Sequence, residues 1–263
     1  MNVETTVDLV LREDADGVAT LTLNRPKARN ALSRPLMAAL HAALDEIETD
    51  KSVHVVVLRG AGPGFCAGHD LKEVRGNPTR TFYETLLAEC SAVMMRIQSL
   101  RQPVIAEVHG IATAAGCQLV ATCDLAVADA DARFATPGVN IGLFCSTPMV
   151  AVSRAVGRKA AMRMLLTGDM IDAEAALGYG LVSHVAAEGA LRETTTALAR
   201  QIASKSPLTL AIGKKAFYEQ AEMPTAKAYA YASEVMTTNM LARDAEEGID
   251  AFIEKRDPVW KGE

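Results

Sequence analysis

The run Ala106-Glu-Val-His-Gly-Ile-Ala-Thr-Ala-Ala-Gly-Cys-Gln-Leu-Val-Ala-Thr-Cys-Asp-Leu125 constrains the fold more than any other segment. It sets out an apolar strand, a turn built of small residues, a helical stretch and the start of a second strand. Two strands joined by a helical crossover lie parallel in one sheet, with the helix packed across a face. A further turn follows at once, in Phe134-Ala-Thr-Pro-Gly-Val-Asn-Ile-Gly-Leu-Phe144.

The same alternation runs through most of the chain. Val7–Arg12 and Val18–Asn24 flank Asp16-Gly17 and predict an opening hairpin. Ser33 predicts a helix start, and Leu36, Leu40, Ala43, Leu44 and Ile47 recur at helical spacing to about Thr49, with Asp45, Glu46 and Glu48 on the wet side. Val53–Leu58, Val104–Val108, Leu125–Ala128 and Val182–Val185 are expected as strands, the first nearly all apolar, as helices on both faces of a sheet require. Phe82–Gln98, Ala115–Ala121, Pro148–Val156 and Ala160–Leu166 are expected as helices, with a loop around Arg75–Arg80. From Leu191 onward only helical periodicity remains, in Leu191–Ser204, Leu208–Gln220, Thr225–Asn239 and Ala242–Lys255. The expected organisation is an α/β core over residues 1–195 and a helical region over residues 196–263.

At 263 residues and 49% hydrophobic, the chain can bury a substantial core. A net charge of −5 argues against a nucleic-acid surface, which needs clustered Lys and Arg to displace counterions. Cys66, Cys90, Cys117, Cys123 and Cys145 are scattered and mostly set among apolar residues, which points to reduced thiols and a cytoplasmic setting. No basic segment precedes an apolar one near the start, so no signal peptide is expected. No run of about 18 apolar residues predicts a membrane span. His41, His54, His69, His109 and His184 show no ligand spacing, so no metal is expected.

The chemistry begins at Gly64-Phe-Cys-Ala-Gly-His-Asp-Leu-Lys-Glu73, a turn of small residues in which Asp70 is placed to cap a helix. If this turn faces Ala114-Ala-Gly-Cys117, one N–H from each can grip a single oxygen. A thioester enolate requires that arrangement.

Asn24-Arg-Pro-Lys-Ala-Arg-Asn-Ala-Leu32, Phe65-Cys-Ala-Gly-His-Asp-Leu71 and Ala114-Ala-Gly-Cys117 occur in an order that resembles the enoyl-CoA hydratase/isomerase (crotonase) superfamily. Leu165-Leu-Thr-Gly168, Ala173-Glu-Ala-Ala176, Gly180-Leu-Val182 and Phe252-Ile-Glu-Lys-Arg-Asp-Pro258 extend the resemblance over nearly the whole chain. Within the superfamily, the segments 114–120, 134–148 and 252–260 are most similar to the enoyl-CoA hydratase domain-containing protein 3 group. The resemblance implies an α/β fold with a crotonase-like ββα spiral core and a C-terminal helical oligomerisation region. It implies a homotrimer or dimer of trimers, an acyl-CoA or enoyl-CoA thioester of fatty-acid metabolism as ligand, and no cofactor beyond the CoA of that substrate.

Carried over residue by residue, the resemblance puts the oxyanion donors on the backbone N–H groups of His69 and Ala115. It puts Lys27 and Arg29 beside the CoA phosphates, and Ala67, Asp70 and Leu71 at the adenine pocket. It lets Lys255, with Phe252 beside it, reach a neighbouring subunit's 3′-phosphate. Phe82, Leu86 and Leu143 are candidates for the acyl channel, and Gly138 and Asn140 for the substrate-facing second loop. The two glutamates of the hydratases fall on Gln118 and Gly138. An amide cannot take a proton at ordinary pH, and a glycine has no side chain, so two-glutamate hydration is not expected.

Asn140, Cys145 and Ser146 lie where some members place other catalytic groups. The imidazole of His69 either serves as an acid/base or occupies space beside its own N–H. Glu107 and Asp124 are expected as capping or surface groups. Two readings stay open, a lyase or isomerase with a different acid/base arrangement and a non-catalytic acyl-CoA sensor or carrier. An RNA-binding role would need a Lys-rich helix face, which Leu36–Asp50 does not supply.

Overall fold

The structure is a computed structural model and describes residues 8–263. The hairpin forms, displaced along the chain. β1 (Val10–Ala15) and β2 (Val18–Leu23) pair antiparallel around Asp16 and Gly17, at φ 52° and 75°. Positive φ at both turn residues matches the twist of the flanking strands. Val7 lies outside the described residues. β1 continues past Arg12 through Glu13 and Asp14 because an edge strand tolerates charge on its wet face.

The hydroxyl of Ser33 caps α1 (Arg34–Thr49), accepting from Leu36 N at 3.4 Å. Leu36, Met37, Leu40, Leu44 and Ile47 form its buried face, a gross apolar contribution on the order of 10 kcal/mol. The chain then runs through β3 (Val55–Gly60), α2 (Leu71–Gly76) and α3 (Arg80–Ser99). The loop expected around Arg75–Arg80 shrinks to 77–79, because Asp70 starts a helix that reaches Gly76 and Thr79 caps the next. β4 (Val104–Val108), β5 (Ile111–Thr113), α4 (Ala115–Thr122), β6 (Leu125–Asp129) and β7 (Arg133–Ala135) follow. Next come α5 (Pro148–Ala155), α6 (Arg158–Thr167), β8 (Ile171–Asp172), α7 (Ala173–Tyr179), β9 (His184–Ala186) and α8 (Leu191–Ala203).

The main sheet has the order β1-β2-β3-β4-β6-β9 and is parallel beyond the hairpin. β5, β7 and β8 form a second sheet, which sequence periodicity does not show because its strands are only two or three residues long. Alternation along the strands divides the interior. Val56, Leu58, Ala106 and Val108 face the larger core with α1, α3 and α4. Val55, Val57 and Ile105 face a smaller one, closed by Leu191 and Ala199 of α8.

The last helices are α9 (Pro207–Ala221), α10 (Thr225–Met240) and α11 (Arg243–Glu254). No residue of α9 or α10 is fully buried, and an ion pair helps tie α9 to the core. Lys214 Nζ lies 2.6 Å from Asp124 Oδ2 and donates to the carbonyls of Ile97 and Gln102 at 2.8 and 2.9 Å. The Tyr218 hydroxyl donates to Asp124 Oδ1 at 2.8 Å, and Val104 N donates to Oδ2 at 2.7 Å. Asp124, expected as a capping or surface group, is therefore an anchor. Burial lowers the Lys214 ammonium from its ordinary range, against the pull of Asp124.

A second clasp holds the C-terminal tail. Asp244 accepts from Ser206 Oγ at 2.6 Å, Lys261 N at 2.8 Å and Gly262 N at 3.0 Å, while Trp260 Nε1 donates to Ser204 O at 2.8 Å. Burial alone would raise the Asp244 carboxyl, but these donors outweigh it and hold it below 3.8. A depressed carboxylate contributes its stability above its unfolded value and loses it as pH falls through the folded one. The tail is expected to stay clamped at neutral pH and to release in acid below 3.8. The readout is a red shift of the fluorescence of Trp260, the sole tryptophan. Asp244→Asn should show that shift already at neutral pH.

Candidate oxyanion site

The segment after β2 folds into a splint for the first turn. Pro26–Ala28 forms a 3-10 turn, and Arg29 and Asn30 follow at φ 49° and 55°. Asn tolerates that left-handed region better than most side chains. Asn30 is fully buried, with Oδ1 accepting from Arg25 N and Nδ2 donating to the carbonyls of Ala61 and Gly64, all at 2.9 Å. Ala67 N donates to Arg29 O at 3.0 Å, and Leu32 N to Gly68 O at 2.7 Å. Lys27 and Arg29 are left exposed on the outer side of this splint.

Asp70 caps α2, accepting from Lys72 N at 3.1 Å and Glu73 N at 3.3 Å, and pairs with Arg25 at 2.9 Å. Burial would raise its carboxyl, but Arg25 and the two amides together hold it below the usual range. Arg25 is a residue that sequence reasoning passed over. The signal was its place before Pro26 in the N-terminal motif.

The second turn is bound to the first strand for strand. Cys66 N donates to Ile111 O at 3.1 Å, Thr113 N to Cys66 O at 3.0 Å, and Thr113 Oγ1 to Ala67 O at 3.1 Å. Ala114 stands at φ 50°, ψ −116°, a costly conformation for alanine. It is held there by its N–H, which donates to Ala135 O at 2.9 Å, and by its carbonyl, which accepts from Gln118 N at 3.0 Å. The strain aims the chain so that Ala115 N opens α4, where helix N–H groups have no intrahelical partner. A β-carbon on Gly68 would lie 2.9 Å from Ala114 Cβ and 3.4 Å from Ala115 N, so the turns are in contact. Neither His69 N nor Ala115 N donates a hydrogen bond among the described residues.

The two positions to which the resemblance assigns the hydratase glutamates carry no carboxylate. Gln118, one turn along α4, is buried, with Oε1 4.0 Å from the Cys90 thiol. Gly138 is closed off, since a β-carbon there would lie 2.6 Å from Leu143 O and 2.8 Å from Cys145 Sγ. Cys145 receives Gly138 N at 3.3 Å and has taken the space a longer side chain would need. Burial raises its thiol, and it pushes those of Cys66, Cys90 and Cys117 up to about 12, so none is a ready nucleophile. Burial lowers His69 from its ordinary 6.5, leaving a neutral ring whose Nε2 is buried without a partner among the described residues.

Other expected residues disperse. Asn140 is exposed, with Nδ2 near Gly168, and Ser146 donates to Phe144 O at 3.3 Å. Leu86 belongs to the core, Phe82 lies under the Arg34 guanidinium, and Leu71 and Leu143 are exposed. Phe252 and Lys255 are exposed at the end of α11, which packs on α9 and α10. Among the described residues, no three His, Cys, Asp or Glu side chains form a metal-binding group, and no helix is long and apolar enough to cross a membrane.

A family model described as enoyl-CoA hydratase/isomerase matches residues 13–263. The chain belongs to that family. It is 46% identical over 245 residues to rat enoyl-CoA hydratase domain-containing protein 3, mitochondrial, covering 93% of this chain and 82% of the relative. It superposes on a solved enoyl-CoA hydratase of Mycobacterium smegmatis with a TM-score of 0.94 at 55% identity, covering 96% of this chain and 98% of that one. The solved human enoyl-CoA hydratase domain-containing protein 3 superposes with a TM-score of 0.93 at 45% identity, covering 96% and 100%.

These crotonase-fold neighbours establish the fold class expected from the motifs. They also correct one expectation. The cytoplasmic setting is overturned, because the rat relative is named mitochondrial, as is its human counterpart at 46% identity. Reduced cysteines separate reducing from oxidising compartments and do not distinguish the cytosol from the inside of an organelle.

Proposed function

We propose that this enoyl-CoA hydratase/isomerase family member binds an acyl-CoA or enoyl-CoA thioester of fatty-acid metabolism and polarises its carbonyl between the N–H groups of His69 and Ala115. One observation carries the reading. Among the described residues the N–H groups of His69 and Ala115 both lack an acceptor, and they stand on two turns that touch. Each such donor is worth about 3–4 kcal/mol to a developing oxyanion. Lys27 and Arg29 would meet the CoA phosphates, and Ala67, Asp70 and Leu71 the adenine, with Gly138 and Asn140 bordering the acyl end. The ligand needs no cofactor besides its own CoA. Phe252 and Lys255 would be supplied by a neighbouring subunit in a homotrimer or dimer of trimers. Phe252 and Leu241 on the tail, 85% and 83% exposed, support such an assembly.

Polarisation alone does not complete hydration, which also needs a water-activating base and a proton donor. Gln118 cannot take a proton, and the closed space at Gly138 favours a second reading, a carrier or sensor that holds the thioester without turnover. Incubation with a panel of enoyl-CoA thioesters in deuterated water tests both. Hydration or α-deuterium exchange that Gln118→Ala abolishes would establish an enzyme with an unusual site. Binding with neither is expected of the carrier, and failure to bind any CoA ester would sink both readings.

A further inference from the structure

The first turn runs between two neighbours. Cys66 bonds to Ile111 and Thr113 on one edge, while Ala67 bonds to Arg29 on the other. Leu32 continues that second edge as an isolated parallel bridge to His69, with Leu32 N donating to Gly68 O at 2.7 Å and Asp70 N donating to Leu32 O at 3.1 Å. Those two bonds use the groups on either side of His69. Successive N–H groups of an extended chain alternate between edges, so the N–H of His69 itself points away from Leu32, to the side of the second turn. Its aim therefore depends on how Leu32 is held against residues 68–70.

One side chain ties the two sides of that bridge together. Arg25 Nη1 donates at 2.6 Å to the carbonyl of Ala31, just before Leu32, and Arg25 Nη2 donates at 2.9 Å to the carboxylate of Asp70, just after His69. A guanidinium fork can serve both acceptors from one rigid group. Its own backbone is fixed in turn, since Arg25 N donates to Asn30 Oδ1 at 2.9 Å and Arg25 O accepts from Ala28 N and Asn30 N at 2.9 and 3.0 Å. The Arg25 and Asp70 side chains are 24% and 17% exposed, so water screens this pair less than it screens a surface pair.

We propose that Arg25 is a positioning residue for the oxyanion site. By joining Ala31 O to the Asp70 carboxylate it fixes Leu32 against the first turn, and through that bridge it sets the aim of the His69 N–H. This role rests on the thioester reading of that N–H. A donor loses its effect when displaced by on the order of 0.5 Å or 10–20°, and a bridge of one residue pair does not by itself hold so close a tolerance. Without Arg25, Asp70 would still cap α2 through Lys72 N and Glu73 N, so its loss loosens the turn without unwinding the helix.

The test titrates the full chain to saturation with an enoyl-CoA 13C-labelled at the thioester carbonyl, reading the bound resonance and the dissociation constant together. Wild type is expected to move the resonance downfield. Arg25→Met and Arg25→Lys should each cut that shift by about half or more at saturation and weaken binding about tenfold. Lysine keeps the charge but replaces the fork with a point donor, so its failure to rescue separates aim from charge. A side chain that only stabilised the fold would lower Tm and leave the shift of the folded, saturated protein unmoved. Asp70→Asn breaks the same link from its other end while keeping an acceptor for the helix cap; it should cut the shift likewise, and it carries the test if the Arg25 variants do not fold. A full shift in wild type and in the folded variants alike overturns the role of Arg25 alone. A wild type that binds no thioester, or binds one with its resonance unmoved, overturns the thioester reading and this role with it.

Discussion

Gly116→Ala is expected to abolish CoA-thioester binding and to lower stability. In the interior of an ordinary helix that change gains up to about 1 kcal/mol, because alanine is the better helix former. Here a β-carbon would lie 2.1 Å from Cys66 O and 2.8 Å from Cys66 C, and both obstacles are backbone. Neither can swing aside, and Cys66 O also accepts from Thr113 N at 3.0 Å. Accommodating the methyl group therefore pushes the first turn away from the second and separates the two N–H donors. Overpacking of this kind costs about 1–3 kcal/mol. Denaturant unfolding with parallel thioester titration checks it. A variant that binds normally and is more stable would show that the contact between the turns is not tight.

Lys214→Met is expected to destabilise the protein by about 3–5 kcal/mol, because it leaves the Asp124 carboxylate without its cation. Tyr218 and the Val104 amide would remain as its donors. The carbonyls of Ile97 and Gln102, which both accept from Lys214, would lose that donor as well. For a chain of this length the loss corresponds to a fall in Tm of roughly 10 °C. Adding Asp124→Asn should recover part of it, since the uncompensated charge is then removed. Limited proteolysis should find α9–α11 released first in the single variant. An unchanged Tm would mean that the tail is held by something other than this ion pair.

The elements legible in the sequence were those with strong periodicity or punctuation. The apolar positions of α1, its Ser33 cap and the Asp16-Gly17 turn each carry a local physical signal, and the structure uses each as that signal implies. The two small-residue turns were legible as motifs. Their contact was not, because it depends on Ala114 adopting a strained backbone that no composition announces. Glu107 and Asp124 were misjudged for one reason. Charged residues at strand and helix ends usually face solvent, and only the tertiary arrangement of α8 and α9 buries these two. At Gly138 the resemblance implies a missing carboxylate, and the structure shows Leu143 and Cys145 packed where a side chain would stand.

The paired donors of His69 and Ala115 are tested most directly by the carbonyl of a bound enoyl-CoA, observed by 13C NMR of a thioester labelled at that carbon. Two N–H groups converging on the oxygen predict a downfield shift of that resonance on binding. A thioester that binds saturably with its carbonyl resonance unmoved would contradict the oxyanion site itself.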